Sequence, residues 1–200
     1  MSLIGRLHSG YVHGRRVGVL TEHLAEMIPR GAHVLDVGCG DGLLAHELMV
    51  RRPDIQIRGI DVLVRHPAFI PVEEFQGQVI PYSDGSFDVV MLVDVLHHTD
   101  DPTVLLREAA RVSRMGIVVK DHTCDGFLAK PTLRFMDWVG NAHHGVALPY
   151  NYWPRRAWLE SFACLGLKIG VWKTHLALYV RPASWVFDRS LHFIARLDLA

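Results

Sequence analysis

Cysteine is scarce in this 200-residue chain. Cys39, Cys124 and Cys164 are odd in number, far apart and free of C-x-x-C spacing, which argues against a disulfide framework or a zinc site and predicts reduced thiols in a cytoplasmic protein. Net charge is missing as well: Lys+Arg and Asp+Glu both total 21, so no overall basic field draws the chain to nucleic acid, and none is expected as a partner. No apolar run approaches the ~20 residues that cross a bilayer. The amino terminus, Met1-Ser-Leu-Ile-Gly-Arg-Leu-His8, has no long apolar core of the kind a secretion signal carries. Tight metal-ligand spacing such as H-x-x-x-H is also lacking, and no metal is expected.

Half of the residues are hydrophobic, enough at this length for a sizeable core in one domain over residues 1–200. The chain alternates apolar runs with helically spaced segments. Helices are predicted at 16–28, 42–51, 102–113, near 131–140 and 154–165, and at 184–195; strands at 32–37, 55–60, near 72–75, 87–93, 115–121, 167–174 and 176–181. Such alternation predicts an α/β fold, a parallel sheet covered on both faces. The last two strands are too close for an intervening helix and should form an antiparallel hairpin. The stretch from Asp61 to Glu73 holds Pro67 and Pro71 and leaves room only for a rudimentary helix.

The run His33-Val-Leu-Asp-Val-Gly-Cys-Gly-Asp-Gly42 carries the strongest signal. Val34, Leu35 and Val37 have the character of a buried strand, and Leu43 to Leu48 change to helical spacing. Glycines between a strand and a helix admit positive φ and let a ligand approach the backbone, while the helix start presents unpaired N–H groups. A dinucleotide loop wants G-x-G-x-x-G; here the third glycine comes one residue early and Leu43 takes its place, which argues against an NAD-dependent oxidoreductase. Asp61 ends the next strand, 19 residues after Gly42, and an acidic group there can accept both hydroxyls of a ribose.

Four strings in order, Val34-Leu-Asp-Val-Gly-Cys-Gly-Asp-Gly42, Gly59-Ile-Asp61, Ile80-Pro-Tyr-Ser-Asp-Gly-Ser-Phe-Asp88 and Val93-Asp-Val-Leu-His-His98, resemble the class I S-adenosylmethionine-dependent methyltransferases. Within them the chain is most similar to the small-molecule group that includes the ubiquinone and menaquinone enzymes. The match covers residues 33–121. The resemblance implies a Rossmann-like, doubly wound seven-stranded sheet in the order 3-2-1-4-5-7-6, S-adenosyl-L-methionine as methyl donor, and S-adenosyl-L-homocysteine as product. It places Gly38, Cys39 and Gly40 along the methionine and ribose portion, with Asp36 holding the loop or reaching the amino group. Asp61 takes the ribose hydroxyls and Val62 flanks the adenine. Gln76 stands where many relatives carry an acid for the adenine amino group, and its amide oxygen can accept that bond without a charge. Val93 and Asp94 border the transfer site. Cys39 also reads simply as the filler of a small-residue slot.

Methyl transfer asks for in-line alignment, and for a base only where the acceptor carries a proton. Candidate bases are His98, with His97 beside it, then His122 after Lys120-Asp121, and His143 or His144 in Asn141-Ala-His143-His144-Gly145. A histidine in so common a string as Leu96-His97-His98 equally reads as holding a loop. Residues 122–153 form an insertion rich in aromatics, an acceptor cap suited to a small apolar, aromatic or lipid-like molecule, although aromatics at helical spacing also build cores. Tyr11, His13 and Arg15 belong to an amino-terminal lid over residues 1–30. The amphipathic 184–195 helix, with Trp185, Phe187, Leu191 and Phe193, could dock on its own domain, on a twin subunit or on a membrane surface. A non-catalytic, cofactor-binding or partner-activating homologue is the alternative to an enzyme; retention of Asp36, the three glycines and Asp61 favours the enzyme.

Overall fold

The computed structural model describes residues 3–141 and 149–199, with side chains over 14–139 and 149–199. Seven strands, β1 (His33–Val37), β2 (Gln56–Asp61), β3 (Val72–Glu74), β4 (Phe87–Val93), β5 (Ser113–His122), β6 (Lys168–Lys173) and β7 (His192–Asp198), form one sheet in the order β3-β2-β1-β4-β5-β7-β6. The first five run parallel, and β7 lies antiparallel between β5 and β6. The expected α/β class and strand order are present and the sheet ends antiparallel, but the partner of β6 is β7 and not residues 176–181, and a short helix (Ser184–Phe187) intervenes where a tight hairpin was expected. No helix forms between Asp61 and Val72, in line with the prolines there.

Period-two alternation decides what each face buries. Val34, Val89, Met91, Val118 and Ile194 point to one side, against Leu20 and Leu24 of α1 (Leu3–Met27) and Ala45 and Leu48 of α2 (Leu43–Arg51). Leu35, Val90, Leu92, Val119 and Phe193 point to the other, against Leu105 and Leu106 of α3 (Pro102–Val112) and Trp158 and Phe162 of α5 (Arg155–Cys164). Asp101 starts α3 by accepting the Thr103 N–H at 2.9 Å, with Pro102 at the first helical position, where its missing N–H costs nothing. Two further α-helices are found among the described residues, α4 (Ala129–Asn141) and the short α6 (Ser184–Phe187).

The carboxyl-terminal region differs from its sequence pattern. Residues 176–181 form no strand: Leu176 and Leu178 are buried and Ala177 is exposed, but the carbonyls of Leu176 and Ala177 meet side chains of α1, His23 at 3.2 Å and Arg15 at 3.1 Å. The predicted 184–195 helix is a single turn, α6, followed by β7, so the long amphipathic helix expected there does not form. In β7, His192 to Ala195 are all buried. A strand covered on both faces reads as a continuous apolar run, which periodicity cannot separate from a helix.

Candidate functional site

The parallel strands end on one edge of the sheet, where open α/β sheets bind ligands. Over β1 and β2 lies the glycine loop. Gly38 and Gly42 have φ of +73° and +76°, and a Cβ on either would run into Val95 Cγ2 at 2.3 Å or Ile70 Cγ1 at 2.4 Å, so both the conformation and the space demand glycine. Gly40, at φ +62°, differs: a Cβ there would meet nothing nearer than the Arg65 guanidinium at 3.7 Å. The loop keeps an open surface over Gly40.

Two carboxylates support this loop from below. Asp61, buried at the end of β2, accepts the Gly40 N–H at 2.7 Å and the Leu63 N–H at 2.9 Å, one on each oxygen. It therefore clamps the loop, and each oxygen keeps a second lone pair for a ligand hydroxyl. Asp36, buried in β1, receives no hydrogen bond from any described residue; burial and then the charge of Asp61 push it up to about 7. Cys39 packs where a Cβ of Gly59 would stand, 2.6 Å from its sulfur, and burial followed by the charge of Asp36 pushes its thiol up. It is a filler. Val62 and Leu63 are exposed apolar residues beyond Asp61; Gln76 is exposed too, next to Gly77, whose Cβ would lie 3.1 Å from Val62.

The neighbouring part of the edge, over β4, β5 and β7, is built from charged side chains. Asp94, at φ 56°, pairs with Arg16 of α1 and with Lys120 of β5, the latter at 2.5 Å. Burial opposes its ionisation, but Arg16 and Lys120 outweigh that and hold it well below the usual carboxylate range. Burial pulls Lys120 below an ordinary lysine, with Asp94 the main opposing influence; His192, across the β5–β7 ladder, stands 3.3 Å from its Nζ. Asp94 thus borders the edge as an ion-pair hub.

His97 and its neighbours form the second half of this cluster. The Asp121 carboxylate accepts from the Leu96 N–H at 3.1 Å and the His122 N–H at 2.7 Å, and lies 2.7 Å from His97 Nδ1. His97 Nε2 faces Asp137 of α4 at 3.5 Å, and Asp137 in turn accepts from the Tyr152 hydroxyl. Burial disfavours charge on His97, yet Asp121 and Asp137 on its two sides override it and raise the group to about 10. His97 is therefore a locked imidazolium that holds the 3-10 turn Leu96–His98 to β5 and α4. The His98 ring lies 4.1 Å from it, with Nδ1 buried and unpartnered among the described residues; burial, then the His97 charge, lowers its pKa. His122 stacks edge-on to His97 at 4.7 Å and near His192 at 4.8 Å. Burial and then Lys120 push it down to about 4.

The edge thus brings together Asp36, Gly38, Cys39, Gly40, Asp61 and Val62 on one side and Asp94, His97, His98 and His122 on the other. His143 and His144 lie outside the described residues, as do the side chains of Tyr11 and His13. Arg16, Asp137 and His192 were not among the sequence candidates for the site; Asp121 was marked only by its place between Lys120 and His122, and Tyr152 only by its place in the aromatic-rich 122–153 insertion. Of the cap aromatics, Tyr152 is buried and Trp153 packs on the core, while Phe127, Phe135 and Trp138 face outward.

Similarity to known proteins agrees with this architecture. The "27-O-demethylrifamycin SV methyltransferase" of Amycolatopsis mediterranei is 34% identical over 112 residues, 48% of this chain and 41% of that protein. A "Ubiquinone biosynthesis O-methyltransferase" of Neisseria meningitidis is 35% identical over 96 residues, 42% and 40%. The chain spans about two fifths of the length of these curated relatives. Among solved structures, a chain from the complex of the Haloferax volcanii Trm112 methyltransferase activator with a methyltransferase superposes with a TM-score of 0.69 at 17% identity, covering 96% of this chain and 94% of that one. The family described as "Methyltransferase domain" matches residues 11–169. With that match over most of its length and the glycine loop and strand order in place, the chain belongs to the class I S-adenosylmethionine-dependent methyltransferase superfamily.

Proposed function

We propose that this chain transfers a methyl group from S-adenosyl-L-methionine to a small apolar, aromatic or lipid-like acceptor, without a metal. The observation that carries the donor is the loop itself: a glycine surface open over Gly40 and clamped by Asp61, with the undonated Asp36 carboxylate beneath it. These residues fit the donor. Asp61 retains lone pairs for ribose hydroxyls, Asp36 offers a carboxylate to an ammonium or to water, and Val62 with Gln76 can flank an adenine. Val93 and Asp94 close the side toward the acceptor.

When bound, the donor supplies a methyl group on a sulfonium, already activated for displacement. What the chain contributes is alignment, and a place for a proton where the acceptor has one to lose. His97 is held between two carboxylates and has no free lone pair for that task. His98 is the better base among the described residues: burial and the adjacent His97 charge keep its imidazole neutral, and its Nδ1 is uncommitted. His122, also held neutral, is the runner-up. Asp94, paired with Arg16 and Lys120, stands 3.8 Å from His122 Nδ1.

Incubating the protein and labelled S-adenosylmethionine with a cell extract should move label into a small, organic-soluble product, and identifying that product defines the acceptor. Calorimetry should show donor binding that Asp61→Ala weakens about a hundredfold, given two orphaned N–H groups and the lost hydroxyl contacts; Gly40→Val should weaken it further. Undiminished binding in both variants sinks the site assignment. Binding without any label transfer supports the non-catalytic homologue instead.

A further inference from the structure

Helix α4 shows water the residues a soluble helix usually hides. Its inner side buries Ala129, Leu133 and the carboxylate Asp137, while Phe135, Trp138 and Val139 are exposed. Phe127 (82% exposed) leads into it, and Trp185 of α6 (66% exposed) extends the surface. These segments form one face. Phe135 stacks on Phe187 with ring centroids 6.4 Å apart and planes at 13°, and Arg189 donates to the Phe127 carbonyl at 3.4 Å and the Thr132 hydroxyl at 3.1 Å. Trp138 and Trp185 are both here, whereas Trp153, Trp158 and Trp172 pack in or against the core. A contiguous patch of this kind marks an interaction surface.

Its charge says what covers it. The same segments expose Lys130, Arg134, Arg181 and Arg189. The acids of these segments are fewer: Asp137 is buried against His97 and Tyr152, Asp188 is half-buried and accepts from the Tyr179 N–H at 3.2 Å, and Asp125 is the exposed one, accepting from the Arg155 N–H at 2.7 Å. A second copy would set its own four cations against these, which disfavours self-association. A bilayer with anionic headgroups answers both features in one plane: aromatic rings enter the headgroup–acyl boundary while the cations snorkel to the phosphates. No helix among the described residues is long and apolar enough to cross a membrane, so contact of this kind lies on the surface.

We infer that the face formed by Phe127, Phe135, Trp138 and Trp185, with its rim of Lys130 and Arg134, docks the protein on an anionic lipid bilayer. This goes beyond the methyl-transfer reading and stands without it. Because Asp137 joins the inner side of α4 to the histidine cluster, the docked face backs directly onto the acceptor side of the sheet.

Flotation with phosphatidylcholine vesicles, with and without phosphatidylglycerol, tests it. Binding is expected on the anionic vesicles and to fall with added salt. Trp138→Ser/Trp185→Ser should lower the partition coefficient at least about tenfold by removing the anchors, and Lys130→Glu/Arg134→Glu about tenfold or more by reversing two charges at the headgroups. Both pairs are exposed, so thermal melting should match the parent chain and separate lost docking from misfolding. No binding, equal binding to both vesicles, or indifference to both pairs overturns the inference. So does a concentration-dependent dimer that the tryptophan pair disperses, since a second copy would then be the occupant.

Discussion

The two halves of the candidate site's edge are built by opposite means. Over β1 and β2, recognition rests on backbone: a loop from Gly38 to Gly42, two carboxylates and the space over Gly40, all within residues 36–63. Over β4, β5 and β7, the edge rests on side chains drawn from α1, from the Asp94–His98 stretch after β4, from β5, α4 and β7, and from the Tyr152 segment. The first half is a cradle whose shape suits a ligand shared across a superfamily. The second is a charge network that joins residues distant in sequence, from Arg16 to His192. Locality separates a transferable site from an individual one.

The network half should be the more fragile. Asp94 is the acid that pairs with both Arg16 and Lys120, so Asp94→Asn leaves two cations facing each other in a largely buried place and should cost ~3–5 kcal/mol. Lys120→Met should cost far less, because Asp94 keeps Arg16 and the methionine fills the lysine's apolar volume. Chemical denaturation of the two variants reads the difference. Equal and small losses would show that the ion pairs are incidental, and would put the two halves of the edge on the same footing.

A smaller, pH-dependent effect should appear in the cradle. Asp36 is pushed up to about 7, above the ~3.9 of an unfolded aspartate. The folded chain thus holds the extra proton, and this group's contribution to stability is full below about pH 4 and is lost as pH rises through 7. Donor binding has the opposite sign. A cationic ligand favours the ionised carboxylate, so affinity should rise as pH passes 7 and fall about tenfold per unit below it. Calorimetry between pH 5 and pH 8 in buffers of different ionisation enthalpy should show proton release on binding. Asp36→Asn should abolish both the slope and the release; a slope that survives would place the titrating group elsewhere.

The same contrast explains what could be read beforehand. Val34 to Gly42 and Asp61 lie close in sequence and carry strand, turn and ligand chemistry together, so the cradle and the strand order are legible. Arg16 and His192 reach the network from opposite ends of the chain, and nothing local distinguishes them from surface residues. Asp137 sits in Arg134-Phe-Met-Asp-Trp138, where the acid points inward and the aromatics outward, the reverse of the usual preference. That inversion is set by His97 and Tyr152, which a one-dimensional pattern does not contain. β7 was hidden for a different reason: burial on both faces erases the alternation that marks a strand.

The smallest expected effect is none at all, on removing metal. Asp94, His97 and His122 bring ligand atoms to within 4.8 Å of one another, a spacing that a divalent cation could use. Their atoms are otherwise engaged. Asp94 answers Arg16 and Lys120, and His97 lies between Asp121 and Asp137. A cation would have to break these pairs and deprotonate His97, which two carboxylates hold charged up to about pH 10, and it would enter beside two existing positive charges. Dialysis against EDTA should therefore leave both the melting temperature and methyl transfer unchanged. A rise in melting temperature on adding zinc, cancelled by Asp94→Asn but not by a surface substitution, would reverse this reading. The second half of the edge would then be a metal centre held shut by its own ion pairs.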